Sequence, residues 1–121
     1  MGASVSIVLP AFNEAENIEA SVEGAVRTMQ ELQREFEVIV VDDGSSDATR
    51  AKVDALGEAD SRVRCIHHPA NRGYGAALRT GLLAARLDLV FFTDADLQFD
   101  LREISKLLAY ADDYDIIAGY R

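Results

Sequence analysis

Asp94 and Asp96 stand one residue apart in the stretch "TDADLQ", directly behind an apolar run that reads as a strand. In an extended backbone alternate residues share a side, so the two carboxylates are expected side by side. Like charges that close oppose each other's ionisation, which implies a positive charge that the sequence itself does not supply. Neither acid immediately precedes the next helical stretch, and a mere turn does not need two carboxylates on one side. A carboxylate pair with room for water suits a hard divalent cation, Mg²⁺ or Mn²⁺, that keeps coordination sites open for phosphate oxygens. Gln98, two residues further on, adds an amide oxygen. The expected metal set is therefore Asp94, Asp96 and Gln98, with the ion arriving alongside a diphosphate. Turn or cap duty is the competing reading.

Other polar clusters sit at the ends of apolar runs: "PAFNE" at 10–14, "DDGSSD" at 42–47 and "GYR" at 119–121. For Asp43 two explanations stand level. Asp43-Gly44 is a natural turn leading into a helix start at Ser45 to Asp47, yet a carboxylate at a strand end can also accept hydrogen bonds from a ribose or a base N–H. "GYGAALRTG" at 73–81 invites a phosphate-loop reading and fails it, because the third glycine of G-x-G-x-x-G falls on Leu78. Its small residues are expected to let a helix pack tightly on the sheet. His67 and His68 have no second metal ligand at a useful sequence spacing and are expected to be structural or exposed. Cys65, the only cysteine, is expected to be a small core residue in a reducing compartment.

The elements that must position these groups alternate. Strands are expected at 5–9, ended by Pro10, and at 37–41, 63–67, 88–93 and 115–119. Helices are expected at 14–34, from Ser46 or Asp47 to Leu56 with Gly57 closing it, from about Tyr74 to Ala85, and after Asp100. Strand–helix alternation with continuous Val/Ile/Leu strands predicts an α/β fold: a Rossmann-like, mostly parallel sheet with helices on both faces and right-handed crossovers. Ligands of such sheets bind beyond the carboxyl ends of the strands, where strand order reverses, and each polar cluster lies at such an end. A fifth strand followed by only Tyr120 and Arg121 leaves an edge uncovered. The chain is therefore expected to be the first half of a larger domain, or to self-associate through that edge.

At 121 residues the chain holds one domain with a genuine core. Its formal charge of −9 argues against nucleic acid as a partner, which needs clustered Lys and Arg. An anion would have to be held locally, by a metal or by backbone N–H groups. No run of about 20 apolar residues is present to span a membrane, and no signal peptide is visible, so a cytoplasmic protein is expected.

Taken together, "SIVLPAFNEAENI", "VIVVDDGSSDAT", "NRGYGAALRTGLLAA", "FFTDADLQFDLREI" and "DIIAGYR" resemble the family 2 glycosyltransferases, and within them the polyprenyl-phosphate (dolichol- or undecaprenyl-phosphate) sugar synthases. The resemblance implies the N-terminal half of a GT-A fold that binds a nucleotide-diphospho-sugar. It implies that Pro10, Phe12 and Glu14 wall the nucleotide, with the aromatic ring near the base, and that Val41 and Asp43 contact base and ribose. Asp94, Ala95 and Asp96 would form the DxD element, with Asp96 and Gln98 as the most direct metal ligands and the two acids at the catalytic centre. Arg121 would lie near the diphosphate. Phe12 stands where the family usually has tyrosine, which removes a hydroxyl and keeps a stacking ring. The family's catalytic domain is about twice this length, and its second half carries acceptor-side residues and, in many members, a catalytic carboxylate.

The implied function is inverting transfer of a sugar from a UDP- or GDP-sugar to an acceptor such as a polyprenyl phosphate, in a full-length form at the membrane surface. A non-catalytic nucleotide-binding fragment is the alternative. A receiver domain would carry its acid pair after the first strand, whereas Asp42 and Asp43 follow the second, and it would need a lysine after the fifth. A nucleotidyltransferase would open with a glycine-rich basic loop, which "PAFNEAEN" is not.

Overall fold

The computed structural model describes residues 3–95. Within them four strands alternate with three helices: β1 (Val5–Ala11), α1 (Ile18–Glu31), β2 (Phe36–Asp42), α2 (Thr49–Ala59), β3 (Val63–His67), α3 (Tyr74–Ala84) and β4 (Leu89–Phe92). All pairings are parallel, and the strand order is β3-β2-β1-β4. The chain thus steps outward from β1 to β3, then returns to the far side of β1. Keeping one crossover hand through that reversal requires the third helix to change faces. It does: α1 and α2 cover one face and α3 the other. The expected fourth helix and fifth strand, with the edge thought to drive self-association, lie outside the described residues, as do Asp96, Gln98 and Arg121.

Period-2 alternation along the strands divides the core. Val5, Ile7, Leu9, Val38 and Val40 pack with Ile18, Val22, Ala25 and Met29 of α1 and Val53 of α2. Val8, Ile39 and Val41 pack with Ala77 of α3. Gly81 lets that second layer close tightly, since a Cβ there would run into Val8 Cγ1. The small residues at 73–81 therefore serve close helix–sheet packing, as their sizes suggest.

Pro10 does not end β1, which continues to Ala11 with Pro10 opposite Val41. The reason lies in which way the backbone groups point. Ala11 accepts from Asp43 N toward β2 (2.8 Å), whereas Val8 accepts from Thr93 N toward β4 (3.2 Å). Pro10 shares the side of Val8, so its missing N–H interrupts only the β1–β4 ladder. Gly57 likewise does not close α2. The helix runs on to Ala59 and stops at Asp60, whose carboxylate takes Arg62 N (2.9 Å) and the Arg62 guanidinium (3.0 and 2.9 Å).

At the amino end of the sheet, Glu37 is buried and accepts from Ser6 Oγ (2.6 Å), Arg64 (2.7 Å) and Arg86 N (2.9 Å). Burial by itself raises this carboxyl, and the bonds from Ser6, Arg86 and Arg64 outweigh it, leaving Glu37 below the ordinary glutamate value. The cluster pins the α3–β4 connection beneath the sheet.

Candidate functional site

The carboxyl ends of β1, β2 and β4 meet where strand order reverses. The loop after β1 is tied to the loop after β2 from both sides. Asn13 N donates to Ser45 Oγ (2.9 Å), and Ser46 N donates to Asn13 Oδ1 (2.9 Å). Asn13 adopts φ +52°, a left-handed conformation that asparagine tolerates and that turns the chain toward α1. Asp47 Oδ1 accepts from Thr49 N (2.9 Å) and Thr49 Oγ1 (2.5 Å), and its other oxygen accepts from Ala15 N (3.3 Å). Asp47, one position ahead of the N-cap residue Ala48, therefore takes up the first N–H of α2 and ties the helix start to the loop after β1.

Pro10 and Val41 are Cα partners on adjacent strands. Val41 is fully buried under α3, so its side chain belongs to the core and is not presented to a ligand. Phe12, the residue after β1, is a large apolar side chain left 46% exposed. Glu14 is half-buried and accepts Ile18 N at its carbonyl (2.8 Å), starting the turn into α1. Beyond β4, Asp94 is half-buried and Ala95 fully so. Ala95 packs its methyl into the α1-side core, and its carbonyl accepts from Ser21 Oγ (3.1 Å). The backbone between the two acids of "DAD" is thus anchored to α1. The donor set there is all oxygen, which fits a hard dication.

Asp43 has a different setting from an open strand-end carboxylate. Its Oδ1 accepts from His68 Nδ1 (2.8 Å) and Arg72 N (2.9 Å), and its Oδ2 accepts from Asn71 Nδ2 (3.1 Å) and Gly73 N (2.9 Å). Those four bonds use about all the lone-pair positions a carboxylate has. Direct contact with a base or ribose therefore requires one of them to be exchanged. Burial raises Asp43, but His68 and the Arg72 and Gly73 amides prevail and hold it below the usual aspartate value. The result is a 68–73 loop folded onto β2. Its backbone at Ala70 and Asn71 lies so close to Gly44 (φ +71°) that no side chain fits there.

Both histidines are tied to neighbouring side chains, and His67, for which sequence spacing offered no second donor, has two beside it in space. His68 joins Asp43 to Thr80 of α3 (2.9 Å). His67 meets Asp42 through Nδ1 (2.8 Å), and its Nε2 lies 2.8 Å from Asp54 Oδ1 and 2.9 Å from Cys65 Sγ. Sequence spacing hid the Asp54 partner because it stands 13 residues away on α2. The available signal was Cys65-x-His67, two residues sharing one strand face. Cys65 is partly buried against the core. Burial and the Asp54 carboxylate push its thiol up to about 12, so it is a poor nucleophile.

The chain belongs to glycosyl transferase family 2, whose family model matches residues 6–121. Among curated relatives it is 39% identical to Glycosyltransferase AglD of Haloferax volcanii, over 99% of this chain and 20% of that protein. It is 37% identical to the undecaprenyl-phosphate 4-deoxy-4-formamido-L-arabinose transferase of Proteus mirabilis, over 97% of this chain and 36% of that one. Among solved structures it matches a Pyrobaculum calidifontis mannosyltransferase in complex with GDP-Man and Mn²⁺ (TM-score 0.78, 27% identity, 93% of this chain and 34% of that chain). It also matches the glucosyl-3-phosphoglycerate synthase of Mycobacterium tuberculosis (TM-score 0.68, 31% identity, 91% and 41%). The parallel sheet with helices on both faces is thus that of the GT-A glycosyltransferases. The chain spans between a fifth and about a third of the length of these two curated relatives. Among the described residues no helix is long and apolar enough to cross a membrane.

Proposed function

We propose that this chain forms the donor-binding part of a glycosyltransferase that uses a UDP- or GDP-sugar and a divalent metal, with inversion at the anomeric carbon. The observation that carries the reading is the anchoring of Ala95, directly after Asp94, at the strand-order reversal, next to the stitched loops of β1 and β2. That is where open α/β sheets take their ligands. Phe12 would stack on the base, Pro10 and the backbone at Val41 would floor the crevice, and Glu14 would line its wall. Asp43 would act by fixing the 68–73 loop beside the nucleotide, contacting ribose or base only after exchanging a bond.

Asp94, with Asp96 and Gln98, would hold Mg²⁺ or Mn²⁺, and Arg121 would approach the diphosphate. When bound, the ion would stabilise the negative charge that builds on the departing nucleotide. The acceptor we favour is a lipid phosphate, as the name of the Proteus relative indicates for that enzyme. Such an acceptor is already anionic and needs little help from a general base. Calorimetric titration with UDP and GDP, with and without Mn²⁺, tests the reading. Wild type should bind one of them in a Mn²⁺-dependent manner, Asp96→Ala should lose that dependence, and Phe12→Ala should weaken binding with the dependence intact. Equal affinity of wild type and Asp96→Ala in Mn²⁺ would remove the metal site.

A further inference from the structure

Asp54, Cys65 and His67 bring three metal-donor atoms within 4.8 Å of one another, on the sheet edge at β3 and away from the strand-order reversal. Cys65 and His67 share the α2-facing side of β3, and Asp54 reaches them from α2. The separations are 2.8 Å between His67 Nε2 and Asp54 Oδ1, 2.9 Å between His67 Nε2 and Cys65 Sγ, and 3.3 Å between Cys65 Sγ and Asp54 Oδ1. Buried Asp42 faces the other ring nitrogen at 2.8 Å. A proton on Nδ1 then leaves Nε2 as a lone pair aimed at the cluster. This is the carboxylate–imidazole arrangement that orients metal-bound histidines. In that tautomer Nε2 and the Asp54 oxygen are both acceptors in contact, a conflict that either a second ring proton or a cation between them relieves.

We propose that Asp54, Cys65 and His67 form a binding site for a borderline-soft transition-metal ion of the Zn²⁺ class, with Asp42 as the positioning carboxylate. One nitrogen, one sulfur and one oxygen donor suit Zn²⁺ or Co²⁺ and not the hard Mg²⁺ or Mn²⁺ expected at the "DAD" segment. Tetrahedral metal–ligand bonds of about 2.0–2.3 Å set donors about 3.3–3.6 Å apart, so the three would have to spread by roughly 0.2–0.7 Å. Three protein ligands leave a fourth position to water. The surrounding carboxylates, which disfavour a bare thiolate, supply the charge that attracts a dication. The site also touches the crevice indirectly, because Asp42 Oδ1 accepts from Ser45 N (3.1 Å).

Cobalt titration of the chain tests this, because Cys65 is its only cysteine. A sulfur-to-cobalt charge-transfer band in the near ultraviolet can therefore arise nowhere else. Wild type should develop the band to one equivalent, and Zn²⁺ should displace it. Cys65→Ser should abolish it. Asp54→Asn, a change at an exposed helical position that leaves the core untouched, should weaken cobalt affinity about tenfold or more, and Asp42→Asn should weaken it as well. Asp96→Ala should leave the band unchanged, separating this site from the donor-metal site. No band at saturating cobalt would overturn the proposal. A titration indifferent to Asp54→Asn would overturn it equally.

Discussion

Asp43 is the residue on which the second strand's loop depends. Removing its carboxylate leaves two backbone amides and an imidazole without that acceptor and reduces Asn71 Nδ2 to its bond with the Asp43 carbonyl (3.2 Å). Asp43→Ala should therefore cost about 2–4 kcal/mol in urea unfolding. The pH sign follows from its lowered value, shared with Glu37. A carboxyl more acidic in the folded chain adds stability above its unfolded value, about 4, and loses it as pH falls through the folded value. The urea midpoint should thus hold level above about pH 5 and drop below about pH 4, with a shallower drop in Asp43→Asn. A stable midpoint down through that range would contradict the bonding described. Gly44 tests the same loop sterically. A methyl there meets both a left-handed backbone and the chain at Ala70 and Asn71, so Gly44→Ala should destabilise by about 1–3 kcal/mol.

Helix α3 and the connection behind it answer at the level of elements. Alanine is the better helix former by about 1 kcal/mol, so propensity alone would make Gly81→Ala stabilising. Val8 decides otherwise: it is β-branched, fully buried and in the way of the new methyl. A lower melting temperature for Gly81→Ala is expected, whereas Leu83→Lys, at a position 76% exposed on the same helix, should leave it unchanged. Glu37 holds the turn from α3 into β4 through Arg86 N and, by way of Ser6 Oγ, Leu87 N. Glu37→Ala should cost about 2–3 kcal/mol, read by chemical denaturation. Amide exchange at residues 86–88 should rise more than at β1.

For the whole molecule, the net charge of −9 opposes a nucleotide diphosphate. Metal-free nucleotide binding should therefore strengthen as added salt screens that repulsion, and the effect should fade with Mn²⁺ present. Much of this architecture was legible in the sequence, because strands such as "VIVV" and the amphipathic run from Ile18 to Met29 report burial directly. The limits are equally physical. Pro10 read as a strand end because sequence does not say which neighbour a backbone N–H faces. Gly57 read as a helix stop because the cap at Asp60 depends on Arg62 beyond it. Asp43 could be seen as a strand-end acid, but the four donors that engage it come from a loop 25 to 30 residues away. The Asp54–His67 contact was hidden for the same reason.

Adjacent acids at the end of β2 serve opposite sides of the sheet. Asp42 reaches His67 on the α2 side, and Asp43 reaches His68 on the α3 side. Because side chains alternate strictly, a one-residue insertion or deletion between Phe36 and Asp42, or within β3, would hand each acid to the wrong layer and exchange both couples at once. This doublet therefore acts as a register mark, and sequence-length variation should be confined to segments outside those two strands.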